Sequence, residues 1–314
     1  MALYLITGGA GFIGSHIAHA LCDRGDRVRV LDDLSTGREE NLAGLDVELL
    51  QGDVTDAALC ARACEGVDGV FHEAAQVSVP KSVEEPERSY EVNIMGTLRL
   101  LEACRQHGVG RLVFAASSAA YGDSETLPKV ETMPTLPLSP YASGKVGGEH
   151  LLRVYGHIHG IKTVALRYFN IFGPRQADDS PYTGVIAIFA RALIEGRAPI
   201  IHGDGEQTRD FTYVANAVQA NLKAMASDLE PGVVINVGGG ERISINELYQ
   251  AMATELGVDL PATYQEARAG DVRHSLASLD RARELLGYEP TVSWREGLAT
   301  TVAWYKDRAH KVGA

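Results

Sequence analysis

Short runs of β-branched and apolar residues alternate with longer amphipathic stretches along the first half of this chain, and that alternation leaves few folds open. Residues 3–7, 27–31, 47–51, 69–72, 112–116 and 163–167 read as strands, with helical patterns between them. Parallel neighbours need a crossover, and right-handed crossovers place the helices on both faces of the sheet. A doubly wound, parallel α/β sheet is expected. After Tyr168 the pattern loosens into Gly-, Pro- and Asp-rich stretches (FGPRQADDSPYTG, HGDGEQT, ARAGD) that separate short elements. A smaller C-terminal α/β substrate domain is expected there. Residues 233–237 read as one more strand and 215–225 as a helix, so the division is interleaved: 1–168 with returns near 210–240, and 169–314.

A chain of 314 residues can bury at least one large core. Its formal charge of -12 argues against a nucleic-acid or anionic-membrane partner, which would need a basic patch against the overall field. No apolar run approaches the roughly 20 residues of a membrane span. The opening MALYLITGG has no basic segment and reads as a first strand rather than a signal peptide, which makes the cytoplasm the expected location. Cys22, Cys60, Cys64 and Cys104 fall in helical stretches without paired CxxC spacing and read as free thiols. His157 and His159 lie two apart, where helical side chains diverge, so no metal is expected.

TGGAGFIG follows the first strand directly and opens a helix. It carries the dinucleotide spacing through Gly8 or Gly9 with Gly11 and Gly14, the feature of a Rossmann-type domain. Glycine lets backbone approach a pyrophosphate, and the following helix start offers oriented N–H groups. Asp32 ends the second strand about where a ribose-binding acid belongs; a carboxylate accepts from both hydroxyls and repels a 2′-phosphate, which favours NAD over NADP. Arg38, shortly after, softens that preference.

YASGK sets Tyr141 and Lys145 four apart on one face of a predicted helix. An ammonium close to a phenol is expected to favour the phenolate and bring it toward the range where it takes a proton from a hydroxyl. Ser117 and Ser118 end the fifth predicted strand, at the carboxyl edge where ligands of parallel sheets bind.

Taken together, TGGAGFIG, Asp32-Asp33, AAQ at 74–76, Asn93, SSAAYG, YASGK and RYFNIFGPR resemble the extended short-chain dehydrogenase/reductases acting on nucleotide sugars, over nearly the whole chain. The pattern is most similar to UDP-glucose or UDP-N-acetylglucosamine 4-epimerases. The resemblance implies Ser117, Tyr141 and Lys145 as catalytic residues. It implies NAD contacts from Gly8, Gly11, Phe12, Ile13 and Gly14, from Asp32, Asp33, Ser35, Thr36 and Gly37, and from Asp53 and Val54. Ala74, Ala75, Gln76, Asn93, Tyr141, Lys145 and Tyr168 complete that set.

For a UDP-sugar substrate the resemblance implies Ser117 and Tyr141 at the hexose, with Asn170, Arg209, Arg268 and Asp271 at the diphosphate. Guanidinium groups grip phosphates bidentately. Val185 and Phe189 join the substrate set, Phe189 against the uracil ring or in a helix core. Ser275 stands at the sugar-pocket gate, where a small side chain leaves room for an N-acetyl group. Related dehydratases carry an acid where this chain has Ser118 and Ala119, so loss of water is disfavoured. The implied cycle oxidises carbon 4 to a ketone, turns the ring and returns the hydride, with NAD retained. A UDP-glucuronate 4-epimerase is the alternative. Helices over 86–107 and 140–159 are similar to those that pair in the family's homodimer.

Overall fold

The computed structural model describes residues 1–177, 184–267 and 272–312. Among these described residues, the strands through residue 168 are β1 (Leu3–Thr7), β2 (Arg27–Asp32), β3 (Val47–Gln51), β4 (Gly69–His72), β5 (Arg111–Ser117) and β6 (Lys162–Tyr168). Between them run α1 (Phe12–Asp23), α2 (Ala57–Cys64), α3 (Val79–Glu84), α4 (Pro86–Tyr90), α5 (Thr97–His107) and α6 (Pro140–His159). The rest of the chain supplies short strands β7 (Ile171–Phe172), β8 (Ile200–His202), β9 (Thr208–Arg209), β10 (Thr212–Tyr213), β12 (Ile243–Ser244) and β13 (Thr263–Gln265), with the longer β11 (Val233–Val237) among them. Its helices are α7 (Val185–Ile194), α8 (Val214–Ala226), α9 (Ile245–Leu256), α10 (Asp280–Leu286) and α11 (Trp294–Val312).

Seven strands form one parallel sheet in the order β11-β6-β5-β4-β1-β2-β3. Such strands are covered on both sides, which is why they read in the sequence as nearly continuous apolar runs. One face sends Ile6, Val30, Phe71, Val113 and Leu166 into a core with Ile17 of α1 and Ala220 of α8. The alternate residues Leu5, Val70, Leu112, Phe114 and Ala165 pack with Cys60, Leu101 and Leu152 from α2, α5 and α6. Each fully buried Val, Leu or Phe contributes roughly 1.5–3 kcal/mol. A third core gathers Phe189, Ile201, Phe211, Tyr249, Trp294 and Tyr305 around α7, α9 and α11. The sheet order reverses direction between β1 and β4, and in open α/β sheets the ligand crevice lies outside the carboxyl ends at such a point.

Helix α6 begins and ends on local signals. Ser139 caps it by accepting from the Ala142 amide at 3.1 Å, Pro140 occupies the first turn, and Gly160 closes it with φ 71°. The helix lies so near the sheet that a Cβ at Gly148 would come within 2.5 Å of the Phe114 ring. Residues 86–107 are not one helix, as the sequence suggested. Glu91–Gly96 is a single π-helical stretch between α4 and α5. Its cause is tertiary: Asn93 turns inward, accepting from the Gln76 amide at 3.0 Å and donating to the Gln76 carbonyl at 3.2 Å.

Candidate active site

Between β1 and α1 the chain makes a turn with positions that tolerate no side chain. Gly8 sits at φ 68°, and a Cβ on it would lie 2.7 Å from the Ala74 amide nitrogen. At Gly14 a Cβ would fall 2.2 Å from the Gly8 carbonyl oxygen. Helix α1, opened by Phe12 and Ile13, has Gly11 as its N-cap and no capping side chain, so its first amides remain available to an anion. At the end of β2, Asp32 accepts from the Ala10 and Leu34 amides, each at 2.9 Å, and Gly37 packs against its carboxylate. Burial raises the Asp32 carboxyl, opposed by those amides. The carboxylate keeps lone-pair capacity for a ribose hydroxyl.

The neighbouring residues are divided. Asp33 accepts from the Ser35 amide and hydroxyl, and Ser35 and Thr36 are exposed. Arg38 lies 3.8 Å from Glu40. Asp53 is engaged by a short ion pair to Arg88 and accepts from the Thr55 amide at 2.8 Å, while Val54 is buried against Gly96. Asn93 pins the loop holding Ala74, Ala75 and Gln76, and both amide atoms of the Gln76 side chain are buried without a partner. A glycine cradle that a Cβ would fill, an uncapped helix start and an orphaned amide beside them fit a dinucleotide.

Ser117 and Tyr168 are directly opposite each other at the ends of β5 and β6. Tyr141 lies in the first turn of α6, close enough to Ser117 for that side chain to influence its phenol. Lys145, one turn on, is buried; its ammonium donates to the Ala115 carbonyl at 2.7 Å and lies 4.9 Å from the Phe114 ring centre. Here one expectation is corrected. Lys145 does not draw the Tyr141 phenol down: burial pushes it up, the Ser117 side chain opposes that, and the charge of Glu73 raises it further. Lys145 itself is lowered by burial to about 8, against the Glu73 charge. Spacing placed the two side chains together but carried no information on desolvation.

Sequence reasoning missed Glu73. It follows β4 directly and its Oε1 accepts from the Tyr168 hydroxyl at 2.9 Å. A lone acid after an apolar strand reads as a solvated strand end, and its partner is distant in sequence. It also missed His72, held between Thr7 Oγ1 at 2.7 Å and Thr97 Oγ1 at 2.9 Å. Burial lowers His72 to about 3, so the ring is neutral near neutral pH.

On the other side of the crevice a cavity of about 370 Å³ is lined by Asn170, Val185, Phe189 and Arg209, among others. Asn170 adopts φ 38°, which asparagine tolerates, and donates to the Asp210 carbonyl at 3.2 Å and the Ser275 hydroxyl at 3.4 Å. Arg209 donates to the Thr208 and Arg273 carbonyls. Phe189 is buried and meets Tyr249 edge-on, so it serves the third core as well as the cavity wall. Arg268 and Asp271 lie outside the described residues. Among the described residues no helix is long and apolar enough to cross a membrane.

The sequence pattern of the NAD dependent epimerase/dehydratase family matches residues 4–238. A UDP-glucose 4-epimerase of Mycolicibacterium smegmatis is 40% identical over 97% of this chain and 99% of its own length. Among solved structures, a UDP-N-acetylglucosamine 4-epimerase from Methanobrevibacter ruminantium in complex with UDP-N-acetylmuramic acid superposes with a TM-score of 0.94, at 39% identity over 98% of this chain and 99% of that one. A Thermus thermophilus UDP-glucose 4-epimerase in complex with NAD gives 0.89, at 40% identity over 97% and 99%. With the glycine cradle and the Ser117–Tyr141–Lys145 group at one sheet edge, this chain belongs to the NAD dependent epimerase/dehydratase family and is an NAD-using enzyme of the isomerase class.

Proposed function

We propose that the protein interconverts UDP-hexoses epimeric at carbon 4, by way of a 4-keto sugar. The observation that carries this is the convergence of Ser117 at the end of β5, Tyr141 in the first turn of α6 and Lys145, bonded to the Ala115 carbonyl, at the carboxyl edge of the sheet that also holds the glycine turn. Tyr141 removes the proton from the 4-hydroxyl and later returns it to the 4-keto oxygen as hydride comes back to the opposite face of carbon 4, with Ser117 holding the sugar oxygen in reach. Bound NAD supplies the hydride acceptor, and its cationic ring favours a phenolate in the same site. Residues of the glycine turn, Asp32 and Gln76 hold it. Lys145, anchored on the Ala115 carbonyl, keeps a positive charge at the site's floor.

The 370 Å³ cavity suits the nucleotide half of the substrate, with Arg209 and Asn170 toward the diphosphate and Phe189 and Val185 toward the base. Fixing the substrate through its diphosphate leaves the ketone free to turn over. Ser118 and Ala119 form a short turn without a carboxyl group, which supports epimerisation over dehydration. Ser275, small and bonded to Asn170, leaves space beside the hexose for an N-acetyl group. Incubating the purified enzyme with a panel of UDP-sugars and no added NAD is expected to interconvert UDP-glucose with UDP-galactose and the two N-acetylated counterparts. Turnover of the plain hexoses with none of the N-acetylated ones at saturation would remove the role given to Ser275, and no inversion of any UDP-hexose would remove the function.

We also propose a homodimer through the outer face of α4, the π stretch and α6. Tyr90, Met95, Val154 and Ile158 expose apolar surface there, with Ile158 64% exposed. Sedimentation should give a dimer for the native chain and a monomer for Ile158→Asp. A native monomer at micromolar concentration refutes the proposal.

A further inference from the structure

Glu73 has no part in the steps above, yet it is built into the same floor. Its backbone amide donates to the Thr7 carbonyl at 3.1 Å, and the next amide, of Ala74, to Thr7 Oγ1 at 3.3 Å, which fixes where its side chain starts. The far end is fixed as well. Tyr168 donates its hydroxyl proton to Glu73 Oε1, and that hydroxyl in turn accepts from Asn221 Nδ2 at 2.7 Å. Asn221, fully buried on α8, is itself held by the Ala217 carbonyl at 2.9 Å. The acceptor role of the hydroxyl toward Asn221 leaves its single proton directed at the carboxylate. A glutamate at a strand end can normally turn into water; this one is drawn across the sheet edge from β4 to β6.

The titratable groups facing Glu73 are few. From α6 they are Tyr141 and Lys145, both within its electrostatic reach; from β6, Tyr168; and beside it on β4, His72, which is neutral. Asn221 on α8 and Thr7 on β1 carry no charge. A negative carboxylate among these opposes a phenolate on Tyr141 and supports an ammonium on Lys145.

We propose that Glu73 is a positioning residue for the Tyr141–Lys145 pair: held by Tyr168 and Asn221, its carboxylate sets the pH range over which Tyr141 carries and surrenders its proton. The inference rests on the proton-transfer role given to Tyr141 above. The direction follows from the surroundings. Burial pushes the Glu73 carboxyl up to about 7, with Tyr168 and Lys145 pulling the other way. Below that pH it is neutral and does not oppose the phenolate; above it the charge appears and holds the Tyr141 proton more tightly.

The test reads the phenolate directly, by ultraviolet absorbance of the NAD-loaded enzyme during a pH titration, with Tyr141→Phe identifying the part of the signal that belongs to Tyr141. Removing the charge with Glu73→Gln is expected to raise the phenolate-to-phenol ratio of Tyr141 about tenfold at a given alkaline pH, an effect of the size one nearby charge produces. Glu73→Asp, which keeps the charge, should stay within about twofold of the native curve by the same reasoning. The limbs of the kcat profile should move with the titration. Should the Gln variant fail to fold, Glu73→Leu gives the same reading. Titrations of the charge-free variants that overlay the native curve overturn the proposal, as does an Asp variant that shifts as far as Gln. Failure of the underlying reading looks different: Tyr141→Phe would then epimerise normally, whatever the titrations show.

Discussion

Tyr141→Phe is expected to lower turnover by about 10² to 10⁴ fold, the span usually lost with a general acid/base. Only the hydroxyl is removed. The ring keeps its place in the first turn of α6, held by the Ser139 cap and Pro140, so folding should be unchanged. The cavity lined by Asn170, Phe189 and Arg209 is separate from the phenol, so KM should move much less than kcat. Steady-state rates on UDP-glucose, with the NAD content of the purified variant as control, check both statements. A variant within about fivefold of native turnover would assign proton transfer to another group, since a removed general acid/base costs far more.

The largest loss of stability is expected away from the chemistry, at Glu149. Its carboxylate receives two bonds from Arg167, Nε at 2.8 Å and Nη2 at 2.7 Å, and the side chains are only 6% and 3% exposed. The Arg167 guanidinium also lies 4.6 Å from the Tyr121 ring centre. Glu149→Ala leaves that charge buried without its partner, a change that typically costs about 3–5 kcal/mol. A surface pair such as Glu102–Arg105, with side chains 37% and 42% exposed, is worth no more than about 0.5 kcal/mol in the same comparison. Urea denaturation of the two alanine variants distinguishes them. A loss at Glu149 below about 1 kcal/mol would mean that water reaches Arg167 and the pair is not insulated. Replacing Glu149 and Arg167 together by Leu and Met should recover much of the loss, because the cost lies in the unpaired charge rather than in the missing contact.

The strands of the sheet were legible because parallel neighbours covered on both faces leave a mark in every residue, and α6 was legible to its ends through Ser139-Pro140 and Gly160. The glycine turn was legible for a similar reason, since a position where a Cβ would fall within 3 Å of neighbouring backbone is open only to glycine. The π stretch at Glu91–Gly96 was not, because its cause is a side chain reaching the Gln76 backbone, and no local pattern encodes that reach. Glu73 was hidden in the same way: the hydroxyl that holds it comes from Tyr168, and the amide that orients the hydroxyl from Asn221. The direction of the Tyr141 shift was misjudged because spacing on a helix reports neighbours, while the balance of burial against charge depends on everything that closes over them.

Strand β11 arrives late: residues 233–237 return to lie beside β6 after the chain has built much of the cavity wall, and Asn236 there accepts from the Tyr121 hydroxyl at 2.7 Å. Cutting the chain before residue 233 would strip the border of the sheet and bare a row of unpaired amides and carbonyls along β6, an invitation to aggregate. Anyone wishing to transplant the portion that lines the cavity into a relative must therefore splice at two joints, leaving 233–237 with the host, since a simple tail exchange would carry off part of the recipient's own scaffold.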